Sequence, residues 1–304
     1  MKKIAVVGSF VMDQIAKVDK FPSPGETIIG TTIKNFPGGK GANQAVASAR
    51  LGACVKMFGK VGNDANGKTF LDLFEQEGID VSSVTRDEQT PTGMGLIQIN
   101  RDAENKIVVI PGANHSYTME NLQSDMEAIT ASDLVVTQLE LQNKITFELI
   151  KKCSEKKVPI ILNPAPAVHI PDEILRHVTY LTPNETELEI LSGMKVDSEE
   201  KLKEAIKKLL KLGVKNVIAT LGKNGAVIGN ADGFDFIKGY SVRPLDTVAA
   251  GDSFNGALAT CIVSGMDLKA SVKYANAVGG ITVTREGAIP SLPLKEEVEM
   301  FLQS

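Results

Sequence analysis

Short, continuous runs of aliphatic and β-branched residues recur along this chain, with helix-length stretches between them, and that alternation limits the fold more than any other feature. The first run is Ile4-Ala5-Val6-Val7, closed by Gly8. Comparable runs fall at Val55–Lys60, Leu134–Gln138, Val158–Leu162 and Val217–Leu221. A strand apolar at every position has both faces buried, the condition inside a parallel sheet covered by helices on each side. Helical periods occupy Gly67–Gln76 with Gly78 as the stop, Ile145–Lys156, and Ser198–Leu212 stopped by Gly213. The last third is helical, over about Gly251–Val263, Leu268–Thr282 and Leu294–Phe301. The expected class is α/β, a mostly parallel sheet flanked by helices.

Two further pairs of stretches read differently. Asp13–Asp19 and Glu26–Lys34 alternate polar with apolar residues and are separated by the turn Phe21-Pro22-Ser23-Pro24-Gly25. Gly93–Asn100 and Lys106–Ile110 flank the polar turn Arg101-Asp102-Ala103-Glu104-Asn105. Alternation marks half-exposed strands. Four of them make a small β lid apart from the main core, formed by about residues 11–36 and 92–112. With no repeat, low-complexity tract or linker, residues 1–304 are expected to form one domain.

Composition excludes several classes of function. A net charge of −4 and the absence of Trp leave neither a basic footprint nor good base-stacking platforms, so no nucleic-acid partner is expected. No uncharged apolar run approaches the roughly 18 residues needed to cross a bilayer. Met1-Lys2-Lys3 with Ile4–Met12 imitates a signal peptide, but Asp13 ends the run and no A-x-A site follows. Three widely spaced cysteines, Cys54, Cys153 and Cys261, fit a reducing compartment, hence a cytoplasmic location. His115, His169 and His177 read as loop residues rather than metal ligands. There is no G-x-S-x-G elbow for acyl transfer.

Five segments could carry chemistry. Gly62–Thr69 fits the phosphate-loop pattern G-x-x-x-x-G-K-[ST]. Asp64 would point a carboxylate into that anion cradle and no second magnesium motif is evident, so a turn with an ordinary helix start is the better reading. Pro37-Gly38-Gly39-Lys40-Gly41-Ala42-Asn43-Gln44-Ala45 is not a dinucleotide fingerprint, because the spacing breaks at Gln44. Its glycines permit close approach to a ligand, and Lys40 and Asn43 supply donors near a helix start. Asp246–Ala257 is the most informative. Small residues lead into a helix, so backbone N–H groups from Ala249 to Asp252 can converge on an anion, as phosphoryl transfer requires. Asp252 beside that anion has a natural task, accepting the proton of an attacking hydroxyl; taken alone, a helix N-cap aspartate is the better reading. Asn184 and Glu187, three apart at a helix start, are either a hydrated-magnesium pair or a capping box. Thr220-Leu221-Gly222-Lys223-Asn224-Gly225 turns just past a strand end, where open α/β sheets bind ligands.

Taken in order over nearly the whole chain, Gly8 to Ala288, these segments resemble the ribokinase family of sugar kinases, with its PfkB-type fold. Residues 38–45 (GGKGANQA) look like the family's sugar-side signature and 246–257 (DTVAAGDSFNGA) like its C-terminal one. Leu162–Ala167 and Thr182–Glu187 look typical of the ribose group within it. The resemblance implies ATP-dependent phosphorylation of the 5-hydroxyl of a pentose, first of all D-ribose. Asp252 would be the base, with Ala249, Ala250 and Gly251 as the anion hole. Asp13, Gly39, Lys40, Asn43 and Glu140 would bind the sugar. Asn184, Thr220, Leu221, Gly222, Gly225, Gly251 and Asn276 would bind ATP, with Glu187 near Mg²⁺ through water. An activating K⁺ would lie among Asp246, Val248, Thr282, Arg285, Gly287 and Ser291. The lid would also pair two subunits into a homodimer. One position departs: Val11 stands where ribokinases typically carry Asn, ahead of the sugar-binding Asp13. An apolar residue there favours 2-deoxyribose, which keeps that sugar as the alternative. A non-catalytic sugar-binding protein and a phosphate-loop NTPase are the readings outside the family.

Overall fold

The structure, a computed structural model, describes residues 2–102 and 104–303. Met1 of the N-terminal run and Ala103 of the expected polar turn lie outside the described residues, as does Ser304. In chain order the elements are strands β1 (Lys3–Val7), β2 (Val11–Lys17) and β3 (Thr32–Gly38), helix α1 (Lys40–Arg50), β4 (Cys54–Gly62), α2 (Ala65–Gln76), β5 (Asp80–Asp87), β6 (Gly93–Ile99) and β7 (Asn105–Ile110). There follow α3 (Met119–Thr130), β8 (Leu134–Thr137), α4 (Asn143–Glu155), β9 (Ile160–Leu162), the one-turn α5 (Asp172–Leu175), β10 (Tyr180–Leu181), α6 (Glu185–Ser192), α7 (Glu199–Lys211) and β11 (Asn216–Thr220). The chain closes with β12 (Ala226–Asn230), β13 (Gly233–Ile237), α8 (Ala250–Val263), α9 (Leu268–Thr282) and α10 (Lys295–Gln303).

The main sheet has nine strands in the order β13-β12-β11-β10-β9-β8-β1-β4-β5. Pairing is parallel from β5 to β11 and antiparallel only at β12 and β13. Successive residues of β1 enter opposite cores. Ile4 and Val6 pack with α1, α2, α8 and α9, whereas Ala5 and Val7 pack with α3, α4 and α7. That two-sided burial is why the strand reads as an unbroken apolar run. β1 lies between β8 and β4, and the chain runs outward on both sides of it, so the carboxyl end of β1 is a topological switch point. Crevices at such points receive ligands.

The second sheet, in the order β3-β2-β6-β7, is the small four-stranded sheet expected from the alternating stretches. β2 follows β1 after three residues, pairs in parallel with β6 and antiparallel with β3. One expected strand is displaced. Glu26–Thr31 is irregular and the strand begins at Thr32. Glu26 folds back instead, accepting hydrogen bonds from Ser23 N–H and Lys20 Nζ, which closes the turn after Pro22 and Pro24. β5, α3 and the β12–β13 hairpin are additions to the sequence-based reading. Among the described residues no helix is long and apolar enough to cross a membrane.

Candidate functional site

The polar groups gather where the β strands of the main sheet end. Ser9 follows β1, Gln138 and Glu140 follow β8, Asn163 follows β9, and Thr182 and Asn184 follow β10. α1 and α8 begin beside them. α1 can do so only because its first turn has no side chains in the way. A Cβ at Gly41 would sit 2.3 Å from Ser9 N, and one at Gly39, where φ is +88°, 2.7 Å from Val11 N. On their Cβ sides these two glycines are packed against the chain's own β1–β2 connection. α1 and α8 meet equally tightly, a Cβ on Gly256 falling 2.6 Å from Ala47 Cβ.

α8 starts with Ala249 in the left-handed region, φ 60° and ψ 6°, an arrangement an alanine adopts at a cost of roughly 1–2 kcal/mol. Gly251 in the first turn is exposed, and a side chain on it would meet nothing within 4 Å. Ala250 N–H is partly engaged by Thr247 O at 3.4 Å.

Asp252 is 7% exposed. Its Oδ2 accepts from Asn43 Nδ2 at 2.8 Å and its Oδ1 from Gln44 Nε2 at 3.0 Å. Lys40, at the start of α1, is held protonated above its ordinary range chiefly by the charge of Asp252, with Glu140, Glu187 and Asp13 adding to the effect against the cost of burial. Glu140 in turn accepts from Ser9 Oγ and from Lys40 N–H at 2.9 Å. Burial, then the charge of Glu140, pushes the Asp13 carboxyl up to about 7, with Lys40 opposing. Asp13 and Val11 lie two apart on one face of β2. Gly95 makes room for both: a Cβ there would be 2.3 Å from Asp13 Oδ1 and 3.7 Å from Val11 Cγ1. Asn43 Oδ1 is buried without a hydrogen-bond partner among the described residues, an acceptor suited to a donor from outside the chain.

The residues expected on the nucleotide side form a continuous chain of contacts. Asn184 bridges in parallel to Thr220. Leu221 N–H donates to Gly225 O, and Gly222 begins a single 3-10 turn. Gly225, at φ +97°, lies against Ile237 O, where a Cβ would come within 2.1 Å. Asn276 Nδ2 donates to that same Ile237 oxygen at 3.1 Å. Asn184 and Glu187 form the reciprocal cap of α6, each backbone N–H donating to the other's side chain at 2.8 Å. Glu187 still belongs to the charged cluster: burial raises its carboxyl, and the charges of Lys40 and Asp252 reach it. A hard, oxygen-preferring cation such as Mg²⁺ fits that donor type.

At the loop before α8, Asp246 accepts from Val248 N–H at 3.0 Å and from Gly287 N–H at 2.9 Å, tying two turns together. It has no cationic side-chain partner among the ion pairs of the described residues. Thr282 and Ser291 are buried and donate to Val278 O and Ala288 O. The Arg285 guanidinium turns away to Glu297 at 2.6 Å, leaving only its backbone for this loop.

The phosphate-loop match is elsewhere. Asp64 caps α2, accepting from Gly67 N–H at 2.7 Å and from Thr92, so the helix terminus is already satisfied by a carboxylate. Lys68 pairs with Asp72 at the surface. His177 bonds Ser154, and among the described residues no His, Cys, Asp and Glu cluster has metal-site geometry.

Sequence reasoning missed Gln44, Gln138, Asn163 and Asn255. Gln138 Nε2 donates to Gln44 Oε1 at 2.7 Å, Gln44 Nε2 reaches Asn163 Oδ1 at 3.1 Å, and Thr182 Oγ1 donates to Asn255 Oδ1 at 2.7 Å. The available signal was a glutamine amid alanines in α1 and amides closing otherwise apolar runs.

An open amide cradle beside a buried carboxylate, at a switch point facing a separate small sheet, has the groups that phosphoryl transfer to a polar acceptor needs. The pfkB family carbohydrate kinase model matches residues 1–295, and the chain belongs to that family. It is 39% identical over 304 residues to a ribokinase of Haemophilus influenzae, covering 99% of each chain. Identity to a deoxyribokinase of Salmonella typhi is 35% over 300 residues, 98% of each. The structure of Arabidopsis thaliana ribokinase complexed with ribose and ATP superposes with a TM-score of 0.93 at 30% identity, over 100% of this chain and 99% of that one.

Proposed function

We propose that this carbohydrate kinase transfers the γ-phosphoryl group of ATP to the primary 5-hydroxyl of ribose. The observation that carries the reading is Asp252. A carboxylate is buried at the mouth of an amide cradle, held on both oxygens by neutral donors, with Lys40 close by. ATP with Mg²⁺ supplies the phosphoryl group and part of its charge neutralisation. Asp252 accepts the hydroxyl proton on a remaining carboxylate lone pair while Ala249, Ala250 and Gly251 turn their N–H groups to the transferring charge. Asp13, Lys40, Asn43 and Glu140 hold the sugar hydroxyls, and Gly39 gives the backbone approach. Asn184, Thr220, Leu221, Gly222, Gly225 and Asn276 border the nucleotide side, with Glu187 holding Mg²⁺ through water. An activating K⁺ would lie beside Asp246, among the backbone groups of Val248, Arg285 and Gly287 and the side-chain oxygens of Thr282 and Ser291; the absence of a cationic partner for Asp246 among the described residues supports this. The protein acts in the cytoplasm, as a homodimer joined through the lid. Higher identity to the ribokinase than to the deoxyribokinase supports ribose. Val11 supports 2-deoxyribose as the second reading.

The test is a panel of pentoses and hexoses with ATP, read by ADP release, on wild type and Asp252→Asn. Ribose is expected to give the highest kcat/KM with 2-deoxyribose next. The amide keeps the shape of the carboxylate but takes no proton, so its kcat should fall about 10²–10⁴-fold while both substrates still bind. Retention of a tenth of the activity in the folded variant would remove Asp252 as the base.

A further inference from the structure

The buried amide chain behind Asp252 has no role in the reading above, and it is costly to build. Gln44 is fully buried, Gln138 nearly so, and Asn163 is 7% exposed. They come from α1 and from the ends of β8 and β9, so three separate elements have been made polar to reach one point. Buried amides contribute little to stability beyond the hydrogen bonds that offset their desolvation. An apolar side chain of similar size would serve packing alone.

The hydrogen bonds fix which way each amide points. Gln138 Nε2 donates to Gln44 Oε1, so the carbonyl of Gln44 faces Gln138 and its NH₂ faces away. Both hydrogens of that NH₂ are committed, one to Asp252 Oδ1 and one to Asn163 Oδ1. Asn163 is held in the matching orientation by its own Nδ2 donating to Thr182 O at 3.4 Å. Reversing Gln44 would set its oxygen against two acceptors and its NH₂ against a donor. With Asn43 on the other oxygen, the carboxylate of Asp252 is clamped at two points, and a lone pair on each oxygen remains for other use. The charged groups around it are Lys40 from α1, Asp13 from β2 and Glu187 from α6, with Glu140 next to Lys40. None of these is a donor to Gln44, so the clamp works by neutral hydrogen bonds.

We propose that Gln44 is a positioning residue for phosphoryl transfer, oriented by Gln138 and Asn163 so that it fixes the plane of the Asp252 carboxylate. The inference rests on Asp252 being the base. A carboxylate freed from one clamp rotates about its Cβ–Cγ bond and spends less time in the orientation that receives the hydroxyl proton. Gln44 touches neither substrate in this arrangement, so its loss slows the chemical step and leaves binding in place.

The experiment is steady-state kinetics on Gln44→Met, Gln138→Met and Asp252→Asn in the full chain, with melting curves to establish folding. For Gln44→Met, kcat is expected to drop about 10-fold while the KM values for ribose and ATP stay within about twofold, the pattern of an interaction that matters in the transition state. Gln138→Met leaves Gln44 beside Asp252 but removes the donor that holds its carbonyl, and should lower kcat in the same direction by a smaller factor, about threefold. If Gln44→Met does not fold, Gln138→Met decides alone. A role in packing only would lower the melting temperature with kcat unchanged, and that result overturns the proposal. So does a rise in KM at constant kcat. An active Asp252→Asn removes the base reading itself, whereas an inactive Asp252→Asn with normal Gln44→Met and Gln138→Met removes the clamp and keeps the base.

Discussion

Asp13 shows how one residue sets function against stability. Its carboxyl sits near 7 because burial and the neighbouring Glu140 disfavour the charge, whereas its ordinary value is 3.8. Between those two pH values the folded chain binds more protons than the unfolded one, so stability falls as pH rises through the window. The contribution is complete below pH 3.8 and gone above about 7. Asp13→Asn removes the penalty, and the variant should melt higher than wild type at pH 8, with a smaller or reversed gap at pH 5. Sugar binding should weaken at the same time, because a charged acceptor typically contributes about 1.5–3 kcal/mol. Equal differences in melting temperature at both pH values would show that Asp13 is not strained by its charge. Val11 sits on the same face of β2 and is 6% exposed. An apolar wall leaves a 2-hydroxyl unpaired but cannot strongly reject it, so preference for 2-deoxyribose should not exceed roughly 10–10². Val11→Asn is expected to move the kcat/KM ratio toward ribose; an unchanged ratio would show that Val11 packs under the sheet without meeting the sugar.

At the scale of elements, the two helix starts that resemble anion sites separate cleanly. α2 begins with Asp64, whose carboxylate occupies its own N–H groups, and Lys68 is spent on Asp72. α8 begins with alanine, glycine and open space. Lys68→Ala should therefore change activity less than about threefold, the expectation for a surface i,i+4 pair. A collapse of ATP affinity in the folded variant would reverse the assignment of the two motifs. The same contrast explains what was legible in the sequence. Strands β1, β8, β9 and β11 announce themselves because both faces are buried. β5 does not: Asp80-Val81-Ser82-Ser83-Val84-Thr85-Arg86-Asp87 is an edge strand whose residues are half or fully exposed. β12 and β13 form an antiparallel hairpin on the opposite edge, where the helix-covered pattern no longer applies. Of the site, the residues carried by glycine-rich helix starts were readable, since backbone demands shape the sequence around them. Gln44, Gln138 and Asn163 were not, because their partners lie 94 to 208 residues away and a lone amide carries no spacing to recognise.

At the scale of the whole molecule, the four-stranded sheet is the part that its own chain leaves unfinished. β7 is an edge strand exposed at all six positions, yet it reads Asn-Lys-Ile-Val-Val-Ile. Through the strand register, Val109 shares a face with Gly95 and Asp13, and Ile107 with Ile97 and Ile15, so one apolar stripe runs up to Asp13. Val108 and Leu96 lie on the other face, beside Gln14. Ile107, Val108 and Val109 are each more than half exposed, as is Ile33 in β3. A sheet apolar on both faces with a bare edge is an aggregation hazard unless something covers it. In the proposed homodimer a second copy would cover it symmetrically, since its own four-stranded sheet presents the same stripe and a twofold interface is self-complementary. A stable dimer needs about 800 Å² buried on each partner, which the lid face and its rim must supply together. The expectation is a dimer in sedimentation at micromolar concentration. Ile107→Lys with Val109→Lys should convert it to a monomer that keeps the fold of the main sheet, because neither residue contributes to either core cluster. Sugar KM should rise more than ATP KM in that monomer, since the stripe borders Asp13 and lies away from the residues between Asn184 and Asn276. A wild-type monomer at these concentrations, or a double variant that remains dimeric, would place the subunit contact somewhere other than the lid.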